Sequence, residues 1–277
     1  MAPKRRRADE LLLEKLNLGS IELARALILE GRALSGDQRI ESGAQLLSPD
    51  VPLRVKGDLD SYVSRGAHKL KRALEVFRTD ISDRVCIDVG ASTGGFTDVM
   101  LRAGARLVYA VDVGYNLLDY RLRSDPRVIS LERVNARFLS REEVPQPPTF
   151  GATDVSFISL KAVLPAVLPL MGEGARFVAL IKPQFEAPKE LVGARGVVRD
   201  PAVHKMVVSD IVSWLPETGW TATGLDYSPI TGPEGNVEFL LLMAGKPDPS
   251  NKVDESTIDA IIHAACDKFF KSANLGL

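Results

Sequence analysis

Strand-like apolar segments alternate with helix-like segments from residue 84 onwards, and this alternation constrains the fold more than any other feature of the sequence. Strands are predicted at 84–89, 107–112, 128–131, 149–154 and 175–181. Strands joined through helices run parallel, and such a sheet is covered by helices on both faces. The later segments "GWTATGLDYSPI" and "NVEFLLLMA" predict two strands with no helix between them. We therefore expect an α/β fold whose mostly parallel sheet carries an antiparallel hairpin at one edge.

The N-terminal part of the chain follows a different pattern and predicts a separate, small α+β domain. The helical spacing of Leu11, Leu12 and Leu16 predicts one helix, and Ser20 is expected to cap a second helix that ends at Gly31. The segment "RALSGDQRI" predicts two short strands around a turn, and "SPDVPLRVKGDLD" has the composition of a boundary. We predict one domain over 1–53, a linker over 54–60 and a second domain over 61–277.

Charge is unevenly distributed along the 277 residues, although the formal net charge is only −1. Residues 1–78 hold 15 Lys and Arg against 11 Asp and Glu, so the excess of positive charge lies in the N-terminal part. This asymmetry favours a polyanionic partner, and an ordinary solvated charged surface explains the charge equally well.

Two cysteines and three histidines exclude several classes of site. Cys86 and Cys266 are too few for a disulfide framework or a metal cluster, and the histidines have no ligand spacing, so no metal is expected. The longest apolar run, at 162–171, has about half of the ~20 residues that a spanning helix needs. The N-terminal stretch lacks the apolar core of a signal peptide, and we expect a soluble, cytoplasmic protein without membrane association.

A glycine-rich turn in "VCIDVGASTGGFTDVML" follows the first predicted strand of the sheet. Ligands of open parallel sheets bind at the carboxyl ends of the strands, where this turn lies. Gly90, Gly94 and Gly95 let the backbone approach a ligand closely because they carry no Cβ. Asp112 ends the next strand, where a carboxylate can accept ribose hydroxyls. These features fit a nicotinamide dinucleotide and S-adenosylmethionine equally well, and a plain structural turn is the alternative for the glycines alone.

Two details favour S-adenosylmethionine as the cofactor. The glycine spacing is G-x-x-x-G-G, which does not reproduce the G-x-G-x-x-G cradle of a pyrophosphate. A carboxylate at Asp88, directly before the turn, would repel a pyrophosphate but suits a cationic amino acid moiety. Asn135 and its neighbour Ala136 are expected to border the adenine. The predicted cofactor-binding residues are Asp88, Gly90, Ala91, Ser92, Gly94, Gly95, Phe96, Asp112 and Asn135.

Four polar residues stand out in or near the predicted sheet. Asp154 ends the fourth strand, and Lys182 follows the fifth. Glu238 lies within the apolar segment "GNVEFLLLMA", and Lys69 lies in "YVSRGAHKL", before the first strand. Asp154 and Lys182 share the edge where an acceptor site is expected, whereas spacing alone does not bring Lys69 and Glu238 to them. Taken singly, each residue is more often a strand-end salt bridge or a solvated charge.

Short segments along nearly the whole chain match the motifs of one family, in the same order. They are "RRRADELL", "EGRAL", "VSRGAHKL", "GASTGGFTD", "DVGYN", "DPRV", "LER", "NAR", "SFISL", "KPQFE", "GVVRDP" and "GNVEF". This set is similar to the haemolysin A (TlyA-type) ribosomal RNA 2′-O-methyltransferases. The resemblance implies a Rossmann-like, S-adenosylmethionine-dependent methyltransferase domain of the FtsJ group, preceded by a ribosomal-protein-type RNA-binding domain.

The resemblance also implies an activity and its catalytic residues. The activity is 2′-O-ribose methylation of ribosomal RNA, on cytidine, and Lys69, Asp154, Lys182 and Glu238 correspond to its Lys-Asp-Lys-Glu tetrad. Lys182 then either accepts the proton of the ribose hydroxyl or stabilises developing alkoxide charge, and the sequence does not decide between these roles. Methylation of a base nitrogen usually shows an Asn/Asp-Pro-Pro-aromatic run after the fourth strand, which "DVSFIS" lacks.

The implied partners are ribosomal RNA or assembled ribosomal subunits, contacted through basic side chains. Family members commonly place Ser-Arg at the start of the second N-terminal helix, whereas this chain has Ser20 and Ile21. Arg25, one helical turn later, offers a substitute for the missing cation. The predicted RNA-binding residues are Arg5, Arg6, Arg7, Arg25, Arg32 and Arg65.

Two other classes of function stay open. The first is an RNA-binding protein whose methyltransferase fold has lost turnover, and the intact tetrad argues against it. The second is a membrane-active haemolysin, as the family name suggests, and the short apolar run argues against that reading.

Overall fold

The structure is a computed structural model that describes residues 5–16, 18, 20–29, 31–56, 62–245 and 253–271. The chain divides into two compact units. The first unit comprises Met1–Tyr62 together with Asp119–Asp125, and the second comprises Val63–Leu118 and Pro126–Leu277.

The first unit combines two helices with two small antiparallel sheets. Its strands are β1 (Arg6–Arg7), β2 (Ala33–Ser35), β3 (Gln38–Arg39), β4 (Leu46–Leu47) and β5 (Leu53–Val55). Strand β1 pairs with β4, and β2 lies between β3 and β5. The helices are α1 (Ala8–Lys15) and α2 (Ile21–Leu29). Ser20 caps α2 as predicted, because the Leu23 amide donates to Ser20 Oγ at 3.1 Å.

A compact apolar core holds this small unit together. The side chains at helical spacing on α1 and α2 face each other and cover β2. The core consists of Ala8, Leu12, Leu18, Ala24, Leu27, Ile28, Ala33 and Ile40.

The second unit is built on a seven-stranded sheet. Its strands are β6 (Val85–Val89), β7 (Leu107–Asp112), β8 (Val128–Glu132), β9 (Phe150–Thr153), β10 (Arg176–Ile181), β11 (Thr221–Tyr227) and β12 (Phe239–Ala244). The spatial order is β11-β12-β10-β9-β6-β7-β8. Strands β8, β7, β6, β9 and β10 are parallel, whereas β12 runs antiparallel to both of its neighbours. The predicted α/β fold with an antiparallel edge pair is confirmed.

Helices connect these strands and bury both faces of the sheet. They are α3 (Ala67–Val76), α4 (Gly95–Arg102), α6 (Leu160–Val167), α7 (Pro183–Glu186), α8 (Pro201–Trp214) and α9 (Glu255–Cys266), while the short helix α5 (Tyr120–Arg123) belongs to the first unit. Three-residue or four-residue 3-10 turns lie at Ala136–Phe138, Leu168–Leu170, Lys189–Leu191, Ala194–Gly196 and Leu215–Thr218, and a π-helical turn lies at Asp267–Lys271. All five residues of β6 are buried, as expected for a strand that is covered on both faces.

Capping side chains fix where several of these helices begin. Ser159 accepts from the Lys161 amide, Asp200 from the Ala202 amide and Asp254 from the Thr257 amide. Each cap satisfies an amide that the helix itself leaves unpaired.

The strand order creates a crevice at the carboxyl end of β6. From β6 the chain moves to β7 and β8 on one side of the sheet, and then to β9 and β10 on the other. Such a switch point is where ligands of open α/β sheets bind.

Two predicted boundaries differ from the structure. The predicted linker at 54–60 begins inside the sheet of the first unit, because Arg54 and Val55 pair with Leu34 and Ala33; residues 57–60 lie outside the described residues. Glu238 directly precedes β12 and does not lie within it. The assignment of the domains to 1–53 and 61–277 stays a prediction.

Candidate active site

Four charged side chains from distant parts of the chain meet at one edge of the sheet. Asp154 follows β9, Lys182 follows β10, Glu238 precedes β12, and Lys69 lies on α3. Because β9 and β10 are parallel and β12 is antiparallel to β10, these three strand ends lie at the same edge. The sheet thus brings together the residues that sequence spacing could not connect.

The four residues form one continuous ion-pair network. Lys182 Nζ lies 2.6 Å from Asp154 Oδ1, and Lys69 Nζ donates to Asp154 Oδ2 at 3.1 Å. Lys69 Nζ also lies 2.7 Å from Glu238 Oε2. Asp154 is therefore shared by both lysines, while Glu238 reaches the network through Lys69. We call these four residues the tetrad.

Burial and charge act against each other in the tetrad. Burial opposes the charge of Lys69, but the carboxylates of Asp154 and Glu238 outweigh it and raise the pKa of Lys69. Burial also opposes the charge of Asp154, yet Lys69 and Lys182 prevail and lower the pKa of Asp154. For Glu238, burial prevails over the attraction of Lys69 and raises the pKa. The charged network is thus centred on Asp154.

A close approach of two loops places Asp154 beside the glycine turn. Gly90 has φ +83°, and a Cβ at this position would lie 3.3 Å from the backbone of Asp154. The left-handed backbone and the short contact both favour glycine here.

A cleft of about 400 Å³ opens at the switch point beside the tetrad. Of the predicted cofactor-binding residues, Gly90, Ser92, Asp112 and Asn135 line this cleft, and Ala91 lines a small adjoining pocket. Asp154 also lines the cleft, so the cleft and the tetrad share a wall.

Asp112 is held in place by the turn that it faces. Its Oδ2 accepts from the Ser92 amide at 2.7 Å, and its Oδ1 accepts from the Gly114 amide at 2.7 Å. Each carboxylate oxygen can accept a further hydrogen bond. The geometry therefore leaves acceptor capacity on Asp112 for a ligand in the cleft.

Asp88 is fully buried, and only one of its oxygens has a partner in the described structure. Its Oδ2 accepts from the Thr97 amide at 2.9 Å and from Thr97 Oγ1 at 2.7 Å. Its Oδ1 is buried without a hydrogen bond from any described residue. Burial raises the pKa of Asp88 to about 7. Asp88 thus anchors helix α4 and does not line the cleft, so its assignment to cofactor binding stays a prediction.

Besides Asp88, three predicted cofactor-binding residues belong to the start of helix α4 and do not line the cleft. Gly94 has φ +96° and precedes the helix. Gly95 packs against the start of α3, since a Cβ there would lie 3.0 Å from the Ala67 nitrogen. Phe96 is buried in the core. Their assignment to cofactor binding stays a prediction.

Ser156 and Phe157 also belong to the site, although sequence reasoning did not single them out. Lys182 Nζ donates to Ser156 Oγ at 2.8 Å, and Ser156 and Phe157 line the cleft. Phe157 is 90% exposed and has φ +63°. The signal for Ser156 was its position just after Asp154 at a strand end, whereas a left-handed phenylalanine leaves no trace in the sequence.

The predicted RNA-binding arginines lie at the surface, and most of them contact other parts of their own unit. Arg7 Nη2 and Arg25 Nε lie 2.7 Å and 2.9 Å from Asp9 Oδ2, and the Arg7 hydrogen bonds lower the pKa of Asp9 to about 2 against the effect of burial. Arg6 pairs with Glu14, Arg32 Nε donates to the Lys56 carbonyl, Arg65 Nη2 donates to the Thr231 carbonyl, and Arg5 is exposed.

Within the described residues, no group of three or more His, Cys, Asp or Glu side chains is arranged to hold a metal ion. In the same part of the chain, no helix has the length and apolar character that crossing a bilayer requires.

Comparison with known proteins assigns the chain to a family. The sequence profile of the FtsJ-like methyltransferases matches residues 62–244. YqxC of Bacillus subtilis, assigned as an rRNA methyltransferase, is 42% identical over 96% of this chain and 95% of its own. The 16S/23S rRNA (cytidine-2′-O)-methyltransferase TlyA of Mycobacterium tuberculosis is 42% identical over 88% of this chain and 92% of its own.

A solved structure agrees with these relatives. A Streptococcus thermophilus protein assigned as a haemolysin has a TM-score of 0.74 and 38% identity, over 99% of this chain and all of its own. The family resemblance predicted from the short segments is confirmed. The chain therefore belongs to the FtsJ-like methyltransferase family, in the group of the TlyA and haemolysin A proteins.

Proposed function

We propose that this methyltransferase transfers the methyl group of S-adenosylmethionine to a ribose 2′-oxygen of ribosomal RNA, on cytidine. The observation that carries the proposal is the ion-pair network of Lys69, Asp154, Lys182 and Glu238, because its Asp154 lines the cleft at the switch point. The cytidine and the ribosomal RNA are inferred from the relative TlyA, whose name gives both.

The cleft fits the proposed cofactor on three grounds. Its volume of about 400 Å³ lies within the range of about 300–1,000 Å³ that is common for small-molecule sites. The Asp112 carboxylate faces the cleft with acceptor capacity left for ribose hydroxyls. Asn135 and Ala136 also line the cleft and would border the adenine.

Bound S-adenosylmethionine supplies an electrophilic methyl group on a sulfonium, and the chain's task is to orient and activate the hydroxyl. Asp154 fixes Lys182 through the 2.6 Å ion pair, and Ser156 holds the same ammonium at 2.8 Å. Orientation of this kind lowers the activation barrier, because the entropy cost of aligning the reacting atoms is met when the substrate binds.

The ion pair also bears on the role of Lys182. An ammonium held by Asp154 and Ser156 stabilises negative charge that develops on the 2′-oxygen as its proton leaves. To accept that proton itself, Lys182 would first have to lose its own. We therefore favour charge stabilisation by Lys182 over proton acceptance.

The first unit, in this proposal, binds folded RNA outside the reacting nucleotide. Phosphate contacts from arginines position a protein on RNA without reading the sequence. Arg5 is exposed, and Arg7 and Arg25 keep side-chain exposures of 41% and 50% while they hold Asp9. Arg25 would take the place of the family's usual arginine next to Ser20.

One experiment tests the proposed function as a whole. Methyl-labelled S-adenosylmethionine is offered to the protein with intact ribosomes, with separated subunits and with bare ribosomal RNA, and the label is mapped. We expect label in the RNA of at least one preparation, on the ribose of a cytidine. RNA binding without label in any preparation would favour an inactive methyltransferase fold.

A further inference from the structure

A groove of about 560 Å³ lies outside the cofactor cleft and shares no lining residue with it. Its walls are the segment 191–200 and Glu234. Arg195 and Arg199 line it, and both are exposed. Neither guanidinium has a hydrogen bond or an ion pair with another described residue. The groove thus offers two cations whose hydrogen-bond donors are available to a ligand.

The buried side-chain amide of Asn236 holds the segment that carries these arginines. Asn236 is 3% exposed, and its Oδ1 accepts from the Val198 amide at 2.9 Å while its Nδ2 donates to the Gly196 carbonyl at 2.9 Å. Arg195 has φ +62°, a left-handed conformation that a non-glycine residue adopts at a cost. Such strain persists where the surroundings hold it, and it is common at functional sites.

Asn236 also connects the groove segment to the tetrad, through its backbone. Asn236 is two residues before Glu238, and its carbonyl accepts from the Gly232 amide at 2.9 Å. Gly232 packs directly on the tetrad, since a Cβ there would lie 2.9 Å from Glu238 Oε1. The segment that forms the groove is thus connected to Glu238 through Asn236 and Gly232, on the side of β12.

The cofactor cleft lies on the opposite side of the tetrad. Gly90, Asp112 and Asn135 line the cleft; Gly90 follows β6, Asp112 ends β7 and Asn135 lies after β8. The groove is formed by segments that follow β10 and precede β12, on the other half of the sheet. The reacting oxygen of a substrate would lie at the tetrad, across from the cofactor. The rest of the substrate would then extend over the half of the sheet where the groove lies.

We propose that this groove binds the phosphodiester backbone of the substrate RNA next to the target ribose, through Arg195 and Arg199. The proposal rests on the RNA methyl transfer inferred above and adds a binding site to it. A ribose in a strand is flanked by phosphates, and arginine recognises a phosphate with paired hydrogen bonds. Asn236 is a positioning residue that holds the arginine segment at a fixed place relative to Glu238.

Two acidic residues also line the groove, and they differ in what they do. Asp200 caps helix α8, where its Oδ1 accepts from the Ala202 amide at 2.8 Å, and the positive end of the helix offsets its charge. Glu234 is exposed and opposes a bound phosphate. Glu234 therefore supplies a test of opposite sign to the arginines.

The test compares the double variant Arg195→Gln/Arg199→Gln with Glu234→Gln and with a control, Arg176→Gln. Arg176 is exposed at the start of β10, at the far end of that strand from Lys182. RNA affinity is measured against salt concentration, and methylation is measured as KM for RNA and as kcat. We expect the double variant to raise KM about tenfold or more, the scale of losing charged hydrogen bonds.

Each lost phosphate contact should also make the slope of log affinity against log salt shallower by about 0.7. Affinity for S-adenosylmethionine and kcat at saturating RNA should stay as in the wild type. Glu234→Gln should bind RNA more tightly, and Arg176→Gln should match the wild type. An unchanged salt slope and KM in the double variant would overturn the proposal. If the wild-type protein methylates no ribose, the proposed function is refuted instead. Comparing the salt slopes of the wild type and the double variant would still test whether the groove binds RNA.

Discussion

Lys182 and Asp154 form an ion pair of 2.6 Å at the carboxyl ends of two neighbouring parallel strands, β10 and β9. Asp154 is also bound to Lys69, so a single carboxylate holds two ammonium groups. Asp154 is 20% exposed on its side chain and lines the cleft, whereas both lysines are buried. The carboxylate is therefore the link between the cofactor cleft and the cations of the tetrad.

Replacing Asp154 by asparagine should destabilise the fold and eliminate turnover. The change leaves Lys69 and Lys182 without their shared counter-ion, and breaking a buried pair costs about 3 kcal/mol or more. Because the pKa of Asp154 is lowered in the folded state, its stabilisation is present above the unfolded pKa and is lost as pH falls through the folded pKa. Urea unfolding at neutral and acidic pH should thus show a wild-type advantage that shrinks in acid.

A surface pair provides the control for Asp154→Asn. Asp210 pairs with Lys161 at 2.8 Å, and its side chain is 60% exposed. Asp210→Asn should cost less than about 1 kcal/mol and leave methylation intact. Equal losses in the two variants would contradict a special role for Asp154.

Glu238→Gln should reduce kcat more mildly than a change at Lys182. Glu238 is 1% exposed and reaches the tetrad only through Lys69, at 2.7 Å, so it acts as a positioning residue. We expect a loss of about tenfold, the scale of one charged hydrogen bond. Combining Glu238→Gln with Lys69→Met should add little to the loss from Lys69→Met alone. Additive losses in kcat would show that Glu238 acts independently of Lys69.

The stability advantage of Asp88→Asn over the wild type should grow as pH rises. Burial raises the pKa of Asp88 to about 7, so the folded state holds a proton that the unfolded state releases from about pH 4 upwards. Wild-type stability therefore falls as pH rises from about 4 through 7, and asparagine removes this fall. Between pH 5 and 8 the variant should gain about 2–3 kcal/mol on the wild type. A difference that stays constant with pH would show that Asp88 is ionised in the folded protein.

Asp112→Ala should weaken S-adenosylmethionine binding by about 1–3 kcal/mol, the cost of losing a charged acceptor. Isothermal titration calorimetry measures this directly, and Asp83→Ala is the control because that carboxylate is 88% exposed at a surface ion pair. Tight binding of NADH without binding of S-adenosylmethionine would contradict the cofactor assignment.

The parallel sheet and the crevice were predictable because they depend on local patterns. Apolar runs and the glycine turn marked β6 and the start of α4, and Asp112 marked the end of β7. These signals come from residues that are close together in the sequence. The burial of the apolar runs that they mark is what forms the sheet. The predicted ends of β10 and β9 also pointed to Lys182 and Asp154.

The rest of the site depends on tertiary contacts that the sequence does not reveal locally. Lys69 reaches Asp154 from helix α3, and Glu238 reaches Lys69 from the turn before β12. Only the family resemblance had grouped them with the strand-end residues. The contact of Ser156 with Lys182 and the hold of Asn236 on the segment 191–200 were not predicted, because an exposed serine and a buried asparagine look like any other loop residues in the sequence.

The central claim is that the Lys182 and Asp154 pair drives methyl transfer to a ribose oxygen. Nucleoside mass spectrometry of substrate RNA after reaction with methyl-labelled S-adenosylmethionine tests it most directly, with Lys182→Ala beside Lys205→Ala. Lys205 pairs with Asp259 at 2.6 Å on the surface and serves as the control. We predict 2′-O-methylcytidine from the wild type and from Lys205→Ala, and a loss of about 10²-fold or more from Lys182→Ala with unchanged RNA and cofactor affinity. Label on a base, or wild-type ribose methylation by Lys182→Ala, would contradict the claim.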